Sequence, residues 1–253
     1  MLIGICGGFD RLGPAKEMGF DYAELPASNV GTMTEAEFEE KLQLLERTGL
    51  PVPAFNVLFP GSITLMGATP DEEIRAYLDL VMSRMERMGG RVIVFGSGRS
   101  RNRPDGMSYF DAFRRLTEVT RMIGDAAERH HLTVVIEPLN RTESNMINSV
   151  AEGACLCAAA NHPAVKVLAD YYHVTRDGEP FEDVLRVGGV KHVHIAAAVS
   201  RKYPLTCEEG FTAFFDVLKK SGYDGMVSIE GGTDDFEHEA PAALQLLRSL
   251  AEK

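Results

Sequence analysis

Apolar residues in this chain fall into short unbroken runs, separated by longer stretches in which they recur at helical spacing. Eight runs read as strands, near 2–6, 21–25, 51–56, 91–96, 133–137, 166–170, 190–196 and 226–230. Most are continuous rather than strictly alternating, as in parallel strands covered by helices. The stretch 70–88 shows the helical period: Ile74, Tyr77, Leu78, Val81, Met82 and Met85 form one apolar stripe that packs against a sheet. Thr34 with Glu37, Thr69 with Glu72, Ser149 with Glu152 and Thr206 with Glu209 read as capping boxes, and Pro70 suits a first helical position. Gly89-Gly90, Gly222 and Gly225 suit helix-to-strand returns.

Strict alternation of eight strands with helices favours an α/β fold of the (β/α)8 TIM-barrel type, over 1–253 as one domain. An open doubly wound sheet is the alternative, because periodicity does not report closure. No glycine-rich phosphate loop follows a strand, which argues against nucleotide binding.

Charge and cysteine content narrow the function classes. A formal net charge of −11 and the lack of a basic run argue against nucleic acid as a partner. Four cysteines without a CxxC pair suit reduced thiols in a cytoplasmic protein. No signal-like N-terminus and no membrane-length apolar run is present, so no membrane association is expected.

Four strands end in groups that bind hard divalent metals: Glu137, Asp170, His194 and Glu230, spaced by 33, 24 and 36 residues. In a closed barrel these ends converge on one rim. Carboxylates after apolar strands are costly to bury without a cation. Three oxygens and one nitrogen suit Mn²⁺, Mg²⁺ or Co²⁺, with Zn²⁺ admissible. His192 shares the face of His194, but the later residue is nearer the rim; His192 reads as a packed or hydrogen-bonded barrel histidine. Arg99, Arg101 and Arg103 follow strand four on a rim loop, either solvated or recognising an anionic substrate group. Cys6 ends strand one near the same rim and reads as a buried inert thiol. Asn56 reads as pocket wall without a chemical role.

The run Glu137-Pro-Leu-Asn-Arg-Thr-Glu143, then Asp170-Tyr-Tyr-His173, His192-Val-His194 and Ile229-Glu230, resembles the xylose-isomerase-like TIM barrels. Within that superfamily it is most similar to ketose 3-epimerases, hydroxypyruvate isomerase and inosose dehydratase. The resemblance implies one divalent metal, Mn²⁺ ahead of Mg²⁺, Co²⁺ or Zn²⁺, held by Glu137, Asp170, His194 and Glu230. It implies Glu137 and Glu230 as the catalytic acid/base pair, and Glu143, His173 and Arg201 as substrate-binding residues. The implied activity is isomerisation or epimerisation of a small sugar or other polyhydroxy carbonyl compound through an enediolate; the alternative is an inosose-type dehydratase. A homo-oligomer is implied as well. Endonuclease IV shares the barrel, but needs histidines at the ends of strands three and four, where this chain has Ala54-Phe55-Asn56 and Val94-Phe95-Gly96.

Overall fold

The computed structural model describes residues 1–67 and 69–252. Eight parallel strands close into a barrel in sequence order: β1 (Leu2–Cys6), β2 (Tyr22–Pro26), β3 (Ala54–Asn56), β4 (Val92–Phe95), β5 (Thr133–Ile136), β6 (Val165–Asp170), β7 (His192–Ile195) and β8 (Met226–Ile229). Closure of β1 on β8 excludes the open-sheet alternative. The strands match the sequence expectation to within a few residues; Glu137 and Glu230 stand one residue beyond β5 and β8.

Side chains alternate across each strand and make two cores. The outward set, including Ile3, Ile5, Leu25, Phe55, Ile93, Phe95, Val134, Ile136, Val193, Val227 and Ile229, packs under the helices. The inward set Tyr22, Ala54, Val92, Val94, Val135 and Leu168, with Met226, fills the barrel. The same inward parity carries Cys6, Glu24, Asn56, Asp170, His192, His194 and Ser228. An apolar plug thus supports a polar upper barrel.

The helix Asp71–Arg87 shows how the cover is specified. Ile74, Leu78, Val81, Met82 and Met85 are fully buried, each contributing about 1.5–3 kcal/mol. Tyr77 is partly exposed and donates to Leu58 O at 2.7 Å. Thr34 and Glu37 form the expected capping box, and Ser149 caps through Glu152 N. Two expected boxes are not formed. Pro70, with extended backbone, is itself the N-cap, and Thr69 Oγ1 instead accepts from Thr64 N at 3.0 Å. Glu208 rather than Thr206 precedes the helix Glu209–Lys220; its carboxylate accepts from Ala198 N at 3.2 Å and from the Tyr171 hydroxyl at 3.2 Å.

Among the described residues, no helix is long and apolar enough to cross a membrane.

Candidate metal centre

Parallel register sets Asp170 of β6 beside His194 of β7, and His194 beside Ser228 of β8. Glu137 and Glu230 continue the inward parity one step past their strands. One ligand atom each from Glu137, Asp170, His194 and Glu230 lies within 4.8 Å of the others. His194 Nδ1 is 3.0 Å from Glu137 Oε1, 3.5 Å from Glu230 Oε2 and 4.0 Å from Asp170 Oδ2. All four sequence-expected ligands therefore meet at one point. Cys6 points to the same rim, grouped with His194 and Glu230; burial, with Glu24 next, pushes its thiol well above the usual range, as expected of an inert thiol.

The donor set fits a hard divalent cation. Asp170 Oδ1 caps the helix Tyr171–Asp177 by accepting from His173 N at 3.1 Å. Its Oδ2 is buried with no hydrogen-bond partner among the described residues. Such an orphaned carboxylate oxygen is costly unless a cation takes it. Three buried carboxylates, Glu24, Glu137 and Asp170, and the partly exposed Glu230 also crowd around the single imidazole of His194.

Burial, and then Glu230, pushes the Glu137 carboxyl above its ordinary range against the pull of His194. Burial acts the same way on Glu230, but His194 and Arg201 outweigh it and draw the group down to about 2. Burial disfavours a charged His194, yet Glu24, Glu230 and Glu137 hold it well above the usual imidazole range.

A cavity opens beside this point. Of about 420 Å³, it is lined by Glu137, Glu143, Arg201 and Glu230, with Val57, Leu139 and the segment 96–99. Arg201 Nη1 donates to both oxygens of Glu143 at 2.9 and 2.8 Å, and Nη2 reaches Glu230 Oε2 at 3.4 Å. Arg201 has φ +52, in the left-handed region. Its loop is held because Gly232 N donates to Arg201 O at 2.8 Å, and a Cβ at Gly231 would stand 2.9 Å from Lys202 C. Close approach of two backbones thus accounts for Gly231. His173 Nδ1 accepts from Asn140 N at 3.1 Å, which assigns its proton to Nε2. That Nε2 is buried without a partner among the described residues.

A larger cavity, about 960 Å³, opens at the N-terminal ends of β6 to β8, around Lys166, Lys191 and Gly225. It contains no member of the carboxylate cluster, so chemistry rather than size identifies the site.

Asn56 is more than pocket wall: its Nδ2 donates to Glu230 Oε1 at 3.0 Å. Arg101 is not on a solvated rim. It is fully buried and donates to Phe95 O at 2.8 Å and Glu137 O at 2.7 Å. Arg103 donates to Met107 O at 2.7 Å; of the three arginines, only Arg99 lines the cavity. Glu24 escaped the sequence reading altogether. It is fully buried inside the barrel, bonded to His192 and His194. Its inward parity on β2, with Ala23 and Leu25 outward, is the signal that would have found it.

Residues 12–252 match the family model for the xylose isomerase-like TIM barrel, and the chain belongs to that family. It is 27% identical over 224 residues to the 3-dehydro-D-guloside 4-epimerase of Escherichia coli (strain K12), covering 85% of this chain and 84% of that protein. It is 27% identical over 237 residues to a putative hydroxypyruvate isomerase of Streptomyces coelicolor, covering 87% and 84%. The crystal structure of D-psicose 3-epimerase with D-tagatose from Clostridium cellulolyticum H10 superposes with a TM-score of 0.86 at 20% identity, covering 99% of each chain. At that identity the structural likeness speaks for the fold alone.

Proposed function

We propose that this protein is a divalent-metal-dependent isomerase or epimerase of a small sugar or related polyhydroxy carbonyl compound. The observation that carries the reading is the convergence of Glu137, Asp170, His194 and Glu230 on one point beside a cavity that Glu137 and Glu230 line together with Glu143 and Arg201. The named activities of the relatives in Escherichia coli and Streptomyces coelicolor support the reaction class. The four ligands would hold one divalent cation, Mn²⁺ first. The cation would act as a Lewis acid, stabilising negative charge on substrate oxygens.

The chain's own residues supply proton transfer and orientation. One of Glu137 and Glu230 takes the proton alpha to the substrate carbonyl, leaving an enediolate, and the other returns it. The two exchange roles in the reverse reaction. His173 Nε2–H donates to a substrate oxygen, because that donor has no other partner among the described residues. Glu143, oriented by Arg201 and by Asn140 Nδ2 at 3.0 Å, accepts from a substrate hydroxyl. Asn56 holds Glu230 in place. The protein acts on small molecules as a soluble cytoplasmic enzyme.

The test is deuterium exchange followed by NMR in D₂O, with Mn²⁺-treated protein and a panel of ketoses, hydroxypyruvate and inososes. The expected result is label at the carbon alpha to a carbonyl, lost in both Glu137→Gln and Glu230→Gln. Exchange that survives in both variants would overturn the acid/base assignment. Water loss without return of the proton would move the protein to the dehydratases.

A further inference from the structure

Glu24 has no place in the proton transfers above, yet it is the most enclosed carboxylate near the site. It is fully buried, and among the described residues no lysine or arginine pairs with it. Its Oε2 accepts from His192 Nε2 at 2.8 Å and Ser228 Oγ at 2.5 Å; its Oε1 accepts from His194 Nε2 at 2.9 Å. Behind them the Tyr22 hydroxyl donates to Ser228 Oγ at 2.7 Å. A buried charge of this kind rarely adds stability over an apolar filling, so its retention calls for a reason beyond packing.

The reason lies in the two ring nitrogens of His194. An ionised carboxylate can only accept, so the His194 nitrogen facing Glu24 must carry the proton. The other nitrogen, Nδ1, faces Glu137, Glu230 and Asp170 and in the metal-free site shares its proton with them; that proton is the one a cation among these carboxylates would displace, while the Nε2 proton stays on Glu24. Contact with Glu24 also fixes the rotation of the ring, since a flip would break the 2.9 Å bond. His192 completes the clamp. Its Nδ1 has no partner among the described residues, so its only polar anchors are Glu24 and, at 3.4 Å, Ser228. Two donors on Oε2 thus hold Glu24 still while Oε1 holds His194.

We infer that Glu24 is a positioning residue: it fixes the Nε2–H form and the ring orientation of His194, so that Nδ1 is presented as the nitrogen ligand of the metal. The inference rests on the metal-dependent reading above. Carboxylates placed this way behind a metal-bound imidazole strengthen the ligand as well as orienting it.

The test measures Mn²⁺ affinity by isothermal titration calorimetry on the full chain, for wild type, Glu24→Gln, Glu24→Asp and Tyr22→Phe. It is paired with ¹⁵N-histidine NMR of protein loaded with diamagnetic Zn²⁺. Wild type is expected to show a His194 Nε2–H resonance protected from exchange. In Glu24→Gln, Mn²⁺ affinity falls roughly 10- to 100-fold and that protection is lost. Glu24→Asp keeps the charge one methylene further back and falls between the two; it carries the test if Glu24→Gln does not fold. Tyr22→Phe, which touches Ser228 and not Glu24, lowers the melting temperature and leaves the Mn²⁺ affinity unchanged. Equal affinity in wild type and the Glu24 variants, with the resonance unmoved, would overturn the inference alone. Loss of affinity in Tyr22→Phe equal to that in Glu24→Gln would reduce Glu24 to a packing role. A wild-type protein that binds neither Mn²⁺ nor Zn²⁺ would overturn the metal reading, and the inference with it.

Discussion

Gly96 and Glu137 occupy adjoining volumes with no room between them: a Cβ on Gly96 would stand 1.8 Å from Glu137 Oε2. The clash is with the far end of a side chain, so the backbone can stay while the carboxylate moves. Gly96→Ala is therefore expected to fold with a melting temperature close to wild type and to lose activity by about 10²-fold or more, the usual cost of a reacting group displaced by an ångström. Paired calorimetry and turnover measurements check it. Near-normal turnover would show that Glu137 does not work from the position seen.

Arg101 carries a different kind of prediction, because its partners are backbone carbonyls. Burial lowers its pKa to about 10, which still leaves the guanidinium charged at neutral pH. It ties Phe95 O to Glu137 O and so braces the ends of β4 and β5. Arg101→Lys cannot reproduce the forked geometry and leaves a buried carbonyl short of a donor. The expected loss is about 1–3 kcal/mol in urea denaturation. A stability equal to wild type would mean that a water replaces the missing donor.

The strands were legible because parallel strands under helices are apolar on both faces, and Val134-Val135-Ile136 or Val227-Ser228-Ile229 stand out against polar surroundings. The four candidate ligands were legible because each sits where such a run stops. Glu24 was not, since within Tyr22-Ala23-Glu24-Leu25 a single acid looks like a solvent-facing position. Only closure of the barrel turns it toward His192 and His194, well over a hundred residues away. Arg101 was obscured for the opposite reason: its Gly-Arg-Ser-Arg setting has the composition of a surface loop, but the short helix Gly98–Arg101 rotates it inward. Thr69 and Thr206 satisfied a spacing rule whose geometry their neighbours Pro70 and Glu208 had already taken.

Glu179 should leave a signature in the pH dependence of stability. Burial, joined by Asp183, raises its pKa from 4.5 to about 7, although its Oε2 accepts from Val150 N at 2.9 Å. A raised carboxyl pKa means that the folded state holds the proton more tightly than the unfolded state does. Its contribution is complete below pH 4.5 and is lost as the pH rises through 7. Glu179→Gln never ionises, so the melting temperature of the variant should gain on wild type across that window and run parallel above it. A difference that does not vary with pH would show that Glu179 titrates as an ordinary exposed carboxylate.

On the proposed reading, Arg201 should separate substrate handling from cation binding. Its guanidinium is bonded to both oxygens of Glu143 and lies 3.4 Å from Glu230, one of the four expected ligands. Removing it frees Glu143 to swing, so substrate recognition suffers; kcat/KM in Arg201→Ala should fall roughly tenfold or more, the equivalent of about 1.4 kcal/mol of lost stabilisation. The cation site responds in the other direction. Without the guanidinium the field at Glu230 becomes more negative, and a divalent ion should bind at least as tightly as in wild type. Titration calorimetry with Mn²⁺, set beside steady-state kinetics, distinguishes the two effects. If affinity and turnover fell together, Arg201 would be part of the scaffold that shapes the ligand cluster, and the division between its substrate-side and metal-side neighbours would not hold.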